Sequence, residues 1–506
     1  MTHLRFSHTA ILVAASVIVA GCSGARTTQG ERLARTYCGA CHAFPEPALL
    51  GKKTWQTDVL PQMAPRLGVS TGSLSDAMSL SPRMTVLTQP VAQRDWEKIV
   101  SYYLTSAPDS LPYQTLPAEP QLDPPFFKTG PFVPRLQSSA VVTLLKADSA
   151  HQRILVGEAG TNLLRVFDWD RKLLSTTTLG SPPTDVIVED QRLLVLESGI
   201  LDPNDEPRGS LRQYDIGANG AVRPGRVLID SLYRPVFVRP VDFDKDGRTD
   251  FLICEYGNNV GRLALYRDNG ATYERRVMDA SPGAIRFEIR DLTGDGHPDI
   301  VALFAQGDER IVLFENDGSG AFNRQQVLAR FPPVYGTMHF TLDDFNGDGK
   351  PDILYMNGDN FDFSRVLKPY HGVHILENDG KNNFQERYFY PLYGAAQAVV
   401  ADFDNDGDLD ILAVSNFADL KRHPERGITY LENTGPHMFR PYVFSIAATN
   451  QWNVMATADL NRNGRLDVLI GAMSLANIAA GQRGGGKPEL GKDPVLLFEN
   501  RLPTSP

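Results

Sequence analysis

Asp344-Phe345-Asn346-Gly347-Asp348-Gly349-Lys350-Pro351-Asp352 runs straight into the apolar stretch Ile353-Leu354-Tyr355-Met356. The same acidic phrase stands at Asp242, Asp244, Asp246 and Asp250, and at Asp291, Thr293, Asp295 and Asp299. It returns at Asp402, Asp404, Asp406 and Asp410, and in weakened form at Asp459, Asn461, Asn463 and Asp467. The copies begin 49 to 58 residues apart, and each leads into an apolar run. A second run then ends in a turn such as Leu313-Phe314-Glu315-Asn316-Asp317-Gly318. A repeat of roughly 50 residues holding four short strands has the size of one propeller blade.

Two weaker units precede these five. One spans 141–179 and contains Ile154-Leu155-Val156-Gly157; the other spans 183–229 and contains Leu193-Leu194-Val195-Leu196. Neither has the acidic phrase. Together they predict an all-β, seven-bladed propeller over 126–502, an open array or another blade count being the alternative. The last unit stops at Leu497-Phe498-Glu499-Asn500 without an outer strand. Phe126-Phe127-Lys128-Thr129 is expected to supply it, which closes the ring and removes a free edge.

The acidic phrase places oxygen-bearing side chains at positions 1, 3, 5 and 9, with a backbone carbonyl at 7 and a turn-permitting Gly at 6. Hard oxygen ligands at this density suit Ca²⁺, up to five ions in all. The expected role is structural: one pinned strand connection per blade. Asp-to-backbone hydrogen bonds without metal are the alternative, above all in the last copy, where Asn461 and Asn463 lower the charge. The loop is shorter than an EF-hand and lacks its position-12 Glu. Over residues 240 to 470 it resembles the FG-GAP repeats of integrin-type and bacterial surface propellers.

Cys38-Gly39-Ala40-Cys41-His42 is a C-x-x-C-H attachment site for one covalent haem c: two thiols for the two vinyl groups and an adjacent imidazole for the iron. A disulfide or zinc half-site is the alternative, but no second C-x-x-C exists. Helical patterns at 29–37 and 90–104 bracket the site, and the unit 29–106 resembles the class I cytochrome c fold. Trp55, Val59 and Met63 resemble the W-x-x-x-V-x-x-M stretch of several small cytochromes, which implies Met63 as sixth iron ligand. Met84 and Met78 are the other candidates, and packing is the plain role for any of them; no His occurs in 43–106. A Pro-rich linker covers 107–125.

Residues 1–21 form a short charged and apolar leader. Val19-Ala20-Gly21-Cys22 resembles the lipobox of bacterial lipoproteins, which implies lipidation at Cys22 and a short tether at 22–28. By the same resemblance, Ser23 favours the outer membrane of a Gram-negative-type envelope, facing periplasm or cell surface. The fourth Cys, Cys254, sits in an apolar run and reads as a buried thiol. A formal charge of −10 argues against nucleic acid as a partner.

No H-E-x-x-H occurs, and Pro488 spoils the phosphate-loop spacing of Gly481 to Lys487. Long inserts at 357–371, 416–426 and 475–493 carry Asp359, Lys368, Tyr370, His371 and Arg422, candidates for a binding face. The chain resembles bacterial proteins that join a cytochrome c domain to FG-GAP (VCBS-type) repeats. That implies a membrane-anchored one-electron carrier with a protein or small-molecule redox partner. The alternatives are a propeller-based dehydrogenase that passes electrons to its own haem, which requires convergent polar side chains in the central funnel, and an adhesion-type scaffold with a sensory haem.

Overall fold

The computed structural model describes residues 27–69, 90–134, 136, 138–360, 364–474 and 493–502. The leader, Cys22, Met78, Met84, the Gly481–Lys487 segment and most of the 475–493 insert lie outside the described residues.

The second strand of each acidic repeat is apolar on both sides, and its burial explains why. In Asp299–Phe304, Asp352–Asn357 and Asp410–Ser415 every residue is buried. Leu354 joins a core shared with the following blade, whereas Ile353 and Tyr355 join the core shared with the preceding one. A strand sandwiched between two sheets reads as a continuous apolar run rather than an alternating one. Outer strands such as Tyr273–Asp279 expose much of their surface and carry charges.

Seven sheets result, spanning 142–178, 183–232, 235–279, 284–330, 337–391, 395–443 and 452–500, here blades one to seven. Their first strands are Val142–Asp148, Pro183–Val188, Pro235–Val241, Ala284–Arg290, Thr337–Asp343, Ala395–Ala401 and Trp452–Ala458. Each of these contacts the first strand of both neighbours, so they form a closed inner ring. The seven apolar cores of the ring each lie between two adjacent blades. Blade seven is completed by Phe127–Pro131, which pairs antiparallel with Val495–Asn500 in the register Phe127 to Asn500. The ring is thus closed by the segment the sequence offers for it.

The acidic loops all join a first strand to a second strand, so they share one face. The described parts of the inserts at 357–371 and 416–426, and the links from one blade to the next, share the other. On that insert face sits a helical unit. Helix α1, Gln29–Cys38, starts at Thr28, whose hydroxyl accepts from the Glu31 amide at 3.1 Å. Lys52–Thr54 and a wide turn, Trp55–Val59, lead into α2, Leu60–Arg66; helix α3 is Gln93–Ser106. Helices α1 and α3 cross closely at Gly30, where a Cβ would lie 2.4 Å from the Lys98 carbonyl oxygen. Trp55 and Tyr103 fill the centre with ring centroids 4.5 Å apart.

The link between the two parts is fastened, not free. Gln114 donates from its amide to Tyr393 Oη at 2.8 Å and from Nε2 to the His371 carbonyl at 2.6 Å. Gln121–Leu122 adds a parallel fifth strand to blade six, against Tyr442 and Val443. Prolines cannot donate to a sheet, so non-proline residues of the segment carry its docking. No helix among the described residues is long and apolar enough to cross a membrane.

Candidate functional site

Cys38 ends α1, and the C-x-x-C-H run turns away from it beside the unit's core. Cys38, Cys41 and Cys254 are all free thiols. Cys38, like Leu33, Tyr37, Phe44, Leu49 and Met63, packs at the half-buried margin of that core, and burial pushes its thiol up to about 11. Cys41 is exposed. His42 Nδ1 lies 2.9 Å from the Ala43 carbonyl, which assigns the proton to Nδ1 and leaves Nε2 as the acceptor nitrogen. Burial lowers the His42 pKa, which favours the neutral ring. Arg35 fixes the loop behind it through Glu46 at 2.9 Å and by stacking on Phe44 at 4.6 Å. Cys254 is fully buried between blades three and four, an inert core thiol as its surroundings predict.

The helical unit rests on blades four and five. Val334, Val366 and Tyr370 of the propeller enter the helical core, and Tyr370 Oη reaches the Leu49 carbonyl at 3.2 Å. Asp308 and Arg330 of blade four are close enough to act electrostatically on His42.

The five candidates on the inserts have separate positions. Tyr370 contacts the helical unit. Arg422 lies over the linker residue Tyr113, 4.5 Å from its ring centre. Lys368 and His371 are buried (2 % and 0 % exposed) beneath their insert rather than solvated. Beside them lies Glu309, also buried, which accepts from Gly336 N and from the amide and hydroxyl of Thr337 at 2.8 to 3.1 Å. Burial raises its carboxyl to about 7 against those stabilising bonds. Asp359 alone of the five lines the axial funnel.

That funnel, of about 350 Å³, opens where the first strands begin, on the same face as the helical unit. Arg286, His339, Gln306, Gln397 and Asn416 line it together with Phe237 and Phe417. Phe237, Arg286, His339 and Gln397 each hold the third position of the first strand of blades three to six, so one position of the repeat supplies four of these residues and no contiguous motif supplies them. The sequence signal is that third position, which carries the polar or charged Asp185, Arg286, His339 and Gln397 in otherwise apolar-rich strands.

On the opposite face the acidic loops share one geometry. The first-position Asp accepts from the loop's own amides: Asp344 from Gly347, Asp348 and Gly349, and Asp402 from Asp406 and Gly407. The ninth-position Asp is buried and reaches both ways. Asp299 accepts from Leu292 N, Thr293 N and, across the sheet, Asn316 N. Two loops bring three carboxylates within 4.8 Å of one another: Asp242 with Asp244 and Asp246, and Asp402 with Asp404 and Asp410. In the first, Arg267 pairs with Asp244 and Arg248 with Asp246, so guanidinium groups already supply the positive charge. The second trio forms no such ion pair among the described residues. Burial, then the charge of Asp406, raises Asp404 to about 6, and burial raises Asp410 to about 7. Its donor set of crowded hard oxygens fits Ca²⁺ best. In the loops at 291–299 and 344–352, Thr293 and Asn346 occupy the third position, and no such trio of carboxylates forms. In the last loop the Asn461 and Asn463 amides bond to Asp467 and to the Asn500 carbonyl.

The family described as FG-GAP-like repeat matches residues 242–302, 291–355 and 357–413. None of the curated proteins matches the chain. Among solved structures, the chain is similar to a Bacteroides fragilis protein described as a 6-phosphogluconolactonase, at 14% identity, TM-score 0.42, covering 59% of this chain and 82% of that one. It is similar to a luciferin-regenerating enzyme at 9% identity and TM-score 0.36, covering 74% of this chain and 95% of that one. It is also similar to BBS1N, solved in complex with ARL6DN, at 8% identity and TM-score 0.43, covering 74% of this chain and 97% of that one. The chain therefore carries FG-GAP repeats within a seven-bladed β-propeller.

Proposed function

We propose that the chain is an exported, lipid-anchored one-electron carrier. In this reading Cys38 and Cys41 hold one haem c, His42 ligates its iron, and a calcium-stabilised propeller serves as the docking or binding platform for a redox partner. The state of His42 supports this most: a ring oriented by the Ala43 carbonyl, with Nε2 left to ligate, directly after Cys41 in a run whose two thiols are free. Haem held there supplies reversible one-electron chemistry. Tyr37, Phe44 and Leu49 offer an apolar margin against which a flat macrocycle excludes water, and Met63 at the same margin is the proposed sixth ligand. The crossing of α1 and α3 at Gly30 holds the attachment helix in place. Lipidation at Cys22 and an outer-membrane location belong to the same proposal.

The test is production in a cell competent for haem attachment, followed by intact mass and a reduced visible spectrum. One haem of added mass is expected, lost in Cys41→Ser, whose exposed side chain leaves the core untouched. Mature protein without covalent haem overturns the reading. Loop 402–410 is the first calcium site proposed, on the convergence of Asp402, Asp404 and Asp410.

A second reading, a propeller dehydrogenase draining into its own haem, is favoured by one observation. The polar funnel opens on the face that carries the helical unit. Anaerobic addition of small alcohols, sugars and sulfur compounds to the oxidised protein separates the two: reduction without a helper protein supports the enzyme, and its absence the carrier.

A further inference from the structure

We infer that the axial funnel is a binding site for a small hydroxylated carboxylate, anchored on Arg286. The inference does not rest on the haem. Three polar side chains in the funnel wall carry buried atoms with no hydrogen-bond partner. Arg286 stands on the first strand of blade four and stacks on Phe237 at 5.2 Å. Its nearest carboxylate, Glu288, is 3.6 Å away, too far for a hydrogen bond, and its Nε has no acceptor. About a quarter of the side chain (27 %) still faces open space, although it lies inside the ring. His339, on the first strand of blade five, is 6 % exposed, and neither ring nitrogen has a partner. Asn416 donates to Asn453 Oδ1 and to Met473 Sδ, but its own Oδ1 has no donor.

The other charged groups nearby are engaged. Arg239 holds Asp185 at 2.7 Å, and Arg234 donates to the Leu201 and Gly257 carbonyls. Arg286 is therefore the funnel cation with only a long ion pair, to Glu288, and with an Nε that no acceptor meets. Buried polar atoms left unpaired cost about 1 to 3 kcal/mol each, so three in one cavity indicate a guest that completes them. A planar guanidinium matches the two oxygens of a carboxylate. The Asn416 acceptor requires a donor, which a hydroxyl provides, and the neutral imidazole of His339 can either donate or accept. Phe237 and Phe417 give the guest's carbon skeleton an apolar wall. The volume of about 350 Å³ admits a small metabolite and excludes a polymer.

The experiment is calorimetric titration of the full chain with D-gluconate and L-lactate, with glucose and inorganic phosphate as controls. Saturable binding of a hydroxy acid is expected, with glucose at least about tenfold weaker. Arg286→Gln is expected to weaken it by about tenfold or more, the scale of one lost charge-assisted bond. Glu288→Gln removes the competing carboxylate and is expected to tighten it, a change that damage to the fold does not mimic. Absence of binding to either hydroxy acid, equal binding of glucose, or equal affinity in Arg286→Gln overturns the inference. Phosphate binding alone overturns the carboxylate class. Haem reduction is a separate readout: binding without reduction leaves this site standing and removes the dehydrogenase reading.

Discussion

On one face of the ring, five loops repeat a single nine-residue arrangement; on the other, no two connections are alike. The acidic loops close upon themselves through their own amides and tie one hairpin to the next through the ninth-position Asp. The insert face is built from single-use residues: Tyr370 under the helical unit, Glu309 buried beside Lys368, and Arg286 in the funnel. Repetition marks what holds the blades; departure from it marks where the chain meets something else. The comparison makes distinct demands on the two faces.

The largest difference is expected between a buried staple and an exposed contact. Asp299→Ala leaves the amides of Leu292, Thr293 and Asn316 without an acceptor, a loss of about 3 kcal/mol or more. Arg422→Ala on the insert face removes an exposed cation–π contact with Tyr113, worth about 0.5 to 1 kcal/mol. Urea denaturation of both variants checks the pair, and equal losses would remove the distinction between the faces.

The insert face carries a pH dependence through Glu309. Its carboxyl rises from the ordinary 4.5 to about 7 in the folded state because it is buried. The folded chain therefore binds this proton more tightly than the unfolded chain. Its contribution to stability is complete below about pH 4.5, falls as pH rises through 7, and is level above that. The interval corresponds to about 3 kcal/mol. Thermal melts between pH 5 and 8 are expected to show this decline on top of the rest of the titration, and Glu309→Gln to flatten that part of it. An unchanged slope in the variant assigns the effect to other groups.

Calcium sharpens the contrast within the acidic face itself. Arg267 and Arg248 occupy the charge of loop 242–250, whereas loop 402–410 has carboxylates alone. Calcium at about a hundredfold over its Kd is expected to stabilise the protein by about 2.7 kcal/mol per site. Asp404→Asn is expected to remove more of that gain than Asp244→Asn. A melting temperature indifferent to both calcium and chelator would leave these loops held by hydrogen bonds alone.

Much of the architecture is legible in the residues. The spacing of the acidic phrases counts five blades, the apolar runs at 154–157 and 193–196 add two, and the missing outer strand after Asn500 points to Phe127. These follow from local periodicity and from the need to close an edge. What was not legible depends on distant partners. The Pro-rich segment reads as a spacer because nothing local reveals that Gln114 meets Tyr393, or that Gln121 pairs with blade six. Lys368 and His371 read as surface residues of a long insert, yet both are buried. Arg286 and His339 share the third position of their first strands, but they meet Asn416 only because the ring closes.

The smallest expected effect tests whether the repeated loop is optimised or merely tolerated. Its fourth position is left-handed in every copy: φ is 58° at Lys245, 76° at Gly294, 74° at Gly347, 63° at Asn405 and 60° at Arg462. Glycine adopts this region freely, Asn at small cost, and other residues at about 1 to 2 kcal/mol. Lys245 is exposed, so little packing opposes its replacement. Lys245→Gly relieves the backbone but also loosens the unfolded chain by about 0.5 to 1 kcal/mol, which leaves a net gain of about 0.5 to 1 kcal/mol. Gly347→Ala is the converse: a Cβ there meets nothing within 4 Å, so the cost, about 1 kcal/mol, is conformational alone. Opposite signs for the two variants establish that loops of one geometry carry different strain. A loss in Lys245→Gly would mean that the lysine holds its loop by a route other than its backbone, and the five loops could then not be treated as copies.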